Sequence, residues 1–125
     1  MTIPNSSFWE GRRVLLTGHT GFKGSWLACW LSQLKAEVHG FSLAPEKEPN
    51  LYNSIGVPYA SEQIGDLRNV SHISKFIKLA RPEIVFHLAA QPLVRRSYRD
   101  PVETFATNVM GTVNLLQALR NADSL

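Results

Sequence analysis

The run "RRVLLTGHTGFKGSWLACWL", residues 12–31, limits what this chain can fold into more than any other stretch. Its first six residues, "RRVLLT", have the apolar character of a buried strand. The run breaks at three glycines spaced three apart, Gly18, Gly21 and Gly24, and resumes with apolar residues at helical spacing. Trp26, Leu27, Trp30, Leu31 and Leu34 mark that spacing, and the two tryptophans read as core. A strand that turns tightly into a helix aims unpaired N–H groups, and the positive end of the helix dipole, at one point. Such a point is an anion site, suited to phosphate. Gly18 permits the turn, Gly21 lets a pyrophosphate approach the backbone, and Gly24 lets the helix pack close to the strand.

The rest of the chain repeats the alternation of strand and helix. "EVHGFSL" (37–43) reads as a second strand, and "APEKEPNLYNSIGVPYA" (44–60) as a long loop with more proline than a connection needs. "SEQIGDL" (61–67) is a weaker third strand. Asn69 caps a helix whose Val70, Ile73, Phe76, Ile77 and Ala80 share one face, and Arg81-Pro82 ends it. "EIVFHLAA" (83–90) is a fourth strand, apolar enough to be covered on both faces. "QPLVRRSYR" (91–99) reads as irregular. Asp100, Pro101 and Glu103 then open a long helix to about residue 122, with Phe105, Val109, Val113, Leu116 and Leu119 expected among its buried positions. Strands joined by helices must be parallel, and right-handed crossovers place helices on both faces. The expectation is a doubly wound α/β fold with strand order 3-2-1-4.

Composition narrows the partners. The net charge is +3, but the basic residues are scattered, and the cluster Arg95, Arg96 and Arg99 has no aromatic platform around it. Nucleic acid is therefore not an expected partner. One cysteine, Cys29, reads as buried filler and fits a reducing compartment. No apolar run reaches membrane-span length, and "MTIPNSSFWEG" lacks a signal-peptide pattern, so the expected setting is cytoplasmic with no membrane partner. His39 and His72 have no metal-ligand spacing, and no metal is expected. His87, at the end of the fourth strand, reads as a hydrogen-bonded structural histidine.

Four segments together resemble the extended short-chain dehydrogenase/reductase family: "TGHTGFKG", "GDL" (65–67), "HLAA" (87–90) and "TNVMGTVNLLQA" (107–118). The resemblance implies that residues 8–125 are the N-terminal part of an NAD-binding, Rossmann-like domain. It places Gly18, His19, Gly21, Phe22, Lys23 and Gly24 around the cofactor's phosphates. Asp66 would meet the adenine and Leu67 would pack on it. Leu88, Ala89, Ala90 and Gln91 would lie beneath the cofactor's middle, Thr107 would touch it, and Asn108 would be structural. Relatives commonly carry an aspartate about 20 residues beyond the glycines, on the ribose. Here that place holds Ser42, so discrimination between NAD and NADP is expected to be poor.

Within the family the likeness is strongest to the nucleotide-sugar 4,6-dehydratases, in the branch acting on CDP-glucose. "AAQP" stands where the dTDP-glucose branch has "AAES", and His19 and Lys23 favour the same choice. The likeness implies a lyase with no net redox change. The sugar C4 is oxidised, water leaves across C5–C6, and the hydride returns to C6, giving a 4-keto-6-deoxy sugar nucleotide on the route to surface polysaccharide (O-antigen) sugars. Pro92 and Arg96 would lie at the substrate, with a surface salt bridge the other reading of Arg96. The family's Tyr-x-x-x-Lys is absent, since Tyr52, Tyr59 and Tyr98 are followed at the fourth position by Gly56, Gln63 and Val102. No residue is therefore assigned a catalytic role, and the chain reads as the cofactor-binding part of a longer, homo-oligomeric enzyme. Two alternatives stand beside this: another family member, an epimerase or reductase, or a non-catalytic NAD-binding module.

Overall fold

A computed structural model describes residues 4–125. Four strands, β1 (Arg13–Thr17), β2 (Glu37–Ser42), β3 (Ser61–Ile64) and β4 (Ile84–His87), form one parallel sheet in the order β3-β2-β1-β4. The helices are α1 (Ser6–Trp9), α2 (Phe22–Gln33), α3 (Leu51–Ile55), α4 (Val70–Ala80), α5 (Val94–Arg99), α6 (Pro101–Phe105) and α7 (Gly111–Leu119). A π-helical turn, Ala106–Met110, joins the last two. The expected architecture and strand order are both present.

The alternation along β1 explains the two layers. Val14 and Leu16 point to one face and pack with Val38 of β2 and with Ala28 and Leu31 of α2. Leu15 points to the other, where Phe41, Leu67, Ile73, Phe76, Ile77 and Leu115 enclose it. β1 is covered on both sides, which is why its centre, Val14 to Leu16, is apolar. Each such leucine, fully buried, contributes about 1.5–3 kcal/mol. α4 begins where the Asn69 side chain accepts from the His72 N–H and stops at Arg81, which turns left-handed (φ 45°) before Pro82.

Several expectations shift. Trp26 and Trp30 are more than half exposed, because Gly24, Ser25, Ala28 and Leu31 form the face that α2 lays on the sheet. The small residues let α2 sit close, and the tryptophans fall on the opposite side. β4 is an edge strand and only half-buried, despite its apolar sequence. The third strand stops at Ile64, the 44–60 segment holds α3, and residues 94–99 form α5 rather than irregular chain. The long helix is broken at its centre by the π turn. Phe105, Val109, Val113 and Leu116 are exposed on its outer side, while Leu115 packs into the core. Cys29 is half-buried and unpaired with any other cysteine. Among the described residues no helix is long and apolar enough to cross a membrane, and no cluster could hold a metal ion.

Candidate dinucleotide site

The site lies at the carboxyl ends of β1, β2 and β4, where β1 passes into the glycine turn. Gly18 has φ +77°, and a Cβ there would lie 2.7 Å from the Ala89 backbone nitrogen. The turn is thus pressed against the segment that leaves β4. Gly24 has no room either: a Cβ would run into the Gly18 carbonyl oxygen, and it would stand 2.9 Å from the His19 Cα. Gly21 is the N-cap of α2 and is extended, with no side chain to satisfy the first turn. The Ser25 N–H bonds to the Gly21 carbonyl, and the N–H groups of Phe22, Lys23 and Gly24 before it have no backbone partner among the described residues. Three donors and a helix dipole therefore face outward at one place. Phe22 and Lys23 are exposed there, and Lys23 makes no ion pair among the described residues.

His19 does not join them. Its ring is fully buried on the inner side of the loop, against the space that Gly40 leaves free. Tyr52 and Tyr59 meet it edge-on, with centroids at 5.7 and 4.9 Å. Neither ring nitrogen makes a hydrogen bond, although the Glu62 carboxylate lies 3.4 Å from Nε2. Burial lowers the His19 pKa, and Glu62 opposes part of that shift. An imidazole so placed cannot donate to a phosphate at the loop mouth, so only the His19 backbone remains available to it. Leu67 is 6% exposed and belongs to the core beside α4 and α7.

Ser42 ends β2 beside the loop, its hydroxyl 2.8 Å from that of Thr20, whose hydroxyl also reaches the Leu43 carbonyl. The Asp66 carboxylate accepts from the Arg68 guanidinium at 2.6 and 2.9 Å, and this bond holds its pKa below the usual carboxylate range. The segment after β4 is fixed from two sides. Thr17 accepts from the Leu88 and Ala89 N–H groups, and Asn108 in the π turn clamps Gln91, accepting from its N–H at 2.7 Å and donating to its carbonyl at 3.1 Å. Ala90 and Pro92 are exposed beside Gln91, whose amide also donates to Thr104. Thr107 is half-buried in the same π turn. Arg96, on α5, is held by Glu103 of α6, with Nε 2.9 Å from the carboxylate.

The structure thus brings the glycine loop, Ser42, residues 88–91 and Thr107 to one end of the sheet. Thr17, Thr20 and Thr112 were not singled out from the sequence, yet each bonds across segments here. The available signal was Thr17 itself, a polar residue closing an otherwise apolar strand directly before Gly18.

The description of the GDP-mannose 4,6 dehydratase family matches residues 15–125. The chain belongs to that family. Relatives of the family include a CDP-glucose 4,6-dehydratase from Salmonella typhimurium, 47% identical over 97% of this chain and 34% of that protein. A GDP-mannose 4,6-dehydratase from Vibrio cholerae is 34% identical over 87% of this chain and 31% of its own length. Among solved structures, UDP-glucose 4-epimerase from Thermus thermophilus in complex with NAD superposes with a TM-score of 0.75 at 38% identity, covering 88% of this chain and 34% of that one. The epimerase from Stenotrophomonas maltophila, with bound NAD and formylated UDP-arabinopyranose, gives 0.78 at 25% identity, covering 89% and 34%. The chain spans about a third of the length of the curated relatives it matches.

Proposed function

We propose that this chain holds NAD as the dinucleotide-binding part of a nucleotide-sugar dehydratase acting on CDP-glucose. The observation that carries the reading is the open first turn of α2, where the N–H groups of Phe22, Lys23 and Gly24 face outward from a loop with no room for side chains at Gly18 and Gly24. A pyrophosphate fits that cradle, and the backbone donors hold it without rearrangement. Lys23 adds a positive charge at its rim, and the Ser42 hydroxyl serves the adenine ribose. Residues 88–91, braced by Thr17 and Asn108, form the floor beneath the cofactor's centre. NAD, when bound, supplies a reversible hydride acceptor for the sugar carbon. Arg96, held in place by Glu103, stands with Pro92 on the substrate side.

The choice of CDP-glucose is supported by the 47% identity to a CDP-glucose dehydratase, well above the values for the GDP-mannose enzymes. The likeness to NAD-bound UDP-glucose epimerases favours a second reading, an epimerase built on the same cofactor domain. The same proposal places the enzyme in the cytoplasm, on the route to surface-polysaccharide sugars. The exposed face of Phe105, Val109, Val113 and Leu116 supports a homo-oligomeric enzyme. The test supplies the protein that contains this chain with CDP-glucose, UDP-glucose or GDP-mannose and follows the products. A 4-keto-6-deoxy product from CDP-glucose is expected. Interconversion of UDP-sugars, or a preference for GDP-mannose, would overturn the assignment.

A further inference from the structure

The hydrogen bonds around His87 have a single consistent direction. The Thr112 hydroxyl donates to the Asn108 carbonyl at 2.6 Å, so its one proton is committed. Its oxygen can only accept from His87 Nε2, 2.9 Å away, and Nε2 must therefore carry the ring proton. On the other side, the Ala89 N–H donates to the Thr17 hydroxyl oxygen at 3.2 Å, and the Leu88 N–H is shared at 3.1 Å between the Thr17 carbonyl and that hydroxyl. Its proton is then free only for His87 Nδ1, at 2.6 Å. Every group is satisfied by one arrangement, the neutral Nε2–H tautomer. Burial also lowers the His87 pKa, in the same sense.

We propose that His87 is a positioning residue whose fixed tautomer ties the end of β1, the floor at residues 88–89 and the π turn into one rigid support for the dinucleotide. The role rests on the NAD-binding reading above and goes beyond it. Thr17 precedes Gly18, the floor segment touches Gly18 directly, and Thr112 anchors to the turn that carries Thr107 and Asn108. A second proton on the ring would make Nδ1 a donor and leave the Thr17 hydroxyl proton without its acceptor. Relief would turn the hydroxyl away from the Ala89 N–H, which has no other hydrogen bond among the described residues, and the floor would move away from the glycine turn. His87 therefore works by being held neutral and in one orientation, without touching the cofactor.

The test is made on the isotopically labelled protein at neutral pH. Nitrogen-15 correlation spectra should show His87 with a protonated Nε2 and a bare Nδ1. Thr112→Val removes the acceptor at nearly constant volume, and Thr112→Ser restores it. The valine variant should release the tautomer and weaken NAD by about fivefold, the worth of one neutral hydrogen bond, while the serine variant stays within twofold of the parent on both readouts. An Nδ1–H or doubly protonated His87 in the parent would overturn the proposal at once, whatever the variants do. So would a valine variant with unchanged NAD affinity in a parent that binds NAD. If the parent binds neither NAD nor NADP, the dinucleotide reading itself fails, and the positioning role falls with it.

Discussion

Substituting Gly24→Ala perturbs the proposed cradle with a single methyl group. The new Cβ would overlap the Gly18 carbonyl oxygen and stand 2.7 Å from the Gly18 carbonyl carbon and 2.9 Å from the His19 Cα. All three obstacles are backbone, so no side chain can turn aside, and either α2 or the loop must move. Overpacking of this kind costs about 1–3 kcal/mol, which lowers the melting temperature of a domain this size by several degrees. The larger effect is on binding. Retreat of α2 takes its N–H groups out of reach of the pyrophosphate, and each bond to a charged group is worth roughly 1.5–3 kcal/mol. Loss of even one weakens NAD by roughly ten- to a hundredfold. Gly56→Ala is the control, since Gly56 has a left-handed backbone (φ +61°) but lies in open space. It should cost stability and leave NAD affinity alone. Titration calorimetry with parallel thermal melts separates the two effects. Gly24→Ala binding NAD within twofold of the parent would refute the assignment of α2 as the phosphate-binding helix.

Three other outcomes are expected. Ser42→Asp should tighten NAD several-fold, about 1 kcal/mol, and weaken NADP by placing a carboxylate where a 2′-phosphate would sit; an unchanged NAD/NADP affinity ratio by calorimetry would mean that Ser42 does not face the ribose. The 125-residue chain by itself should convert no CDP-glucose, because it holds no Tyr-x-x-x-Lys and groups that act as a unit are not replaced by the remainder; 4-keto product formed at the turnover of an intact enzyme would contradict this. His19, His39 and His87 all have folded pKa values lowered, chiefly by burial. The unfolded chain therefore takes up protons first as pH falls below about 6.5, so this stability is complete above that value and is lost as pH drops through the lower folded values. Melting temperatures that stay level or rise from neutral to mildly acid pH would show that these histidines do not control the acid limb.

The sheet was legible because β1, β2 and their crossovers follow rules that act over a few residues: an apolar run, a glycine turn, a helical period and a capping asparagine at Asn69. The cradle was legible for the same reason, since Gly18 and Gly24 report a local backbone need. What escaped depended on partners far away in sequence. The orientation of His19 is set by the space at Gly40 and by Tyr52 and Tyr59, none of which a loop motif announces. Trp26 and Trp30 share a helical period with Leu27 and Leu31, but the small residues Gly24 and Ala28 decided which face docks. Leu67 went to the core because α4 and α7 close over it, with its Cβ 3.3 Å from where a Cβ on Gly111 would stand. The π turn carries no propensity signal of its own, and its place is marked only by the Asn108 clamp on Gln91.

The central claim is that NAD lies across the end of the sheet with its pyrophosphate on α2. An amide chemical-shift map of the labelled protein during titration with NAD tests this most directly. The largest shifts should fall on the N–H groups of Phe22, Lys23 and Gly24, with a second group at residues 88–91 and 107–108. Saturable binding that leaves those amides in place, with shifts instead in the cleft between α4 and α7 around Lys78, Arg81 and Asn121, would contradict it.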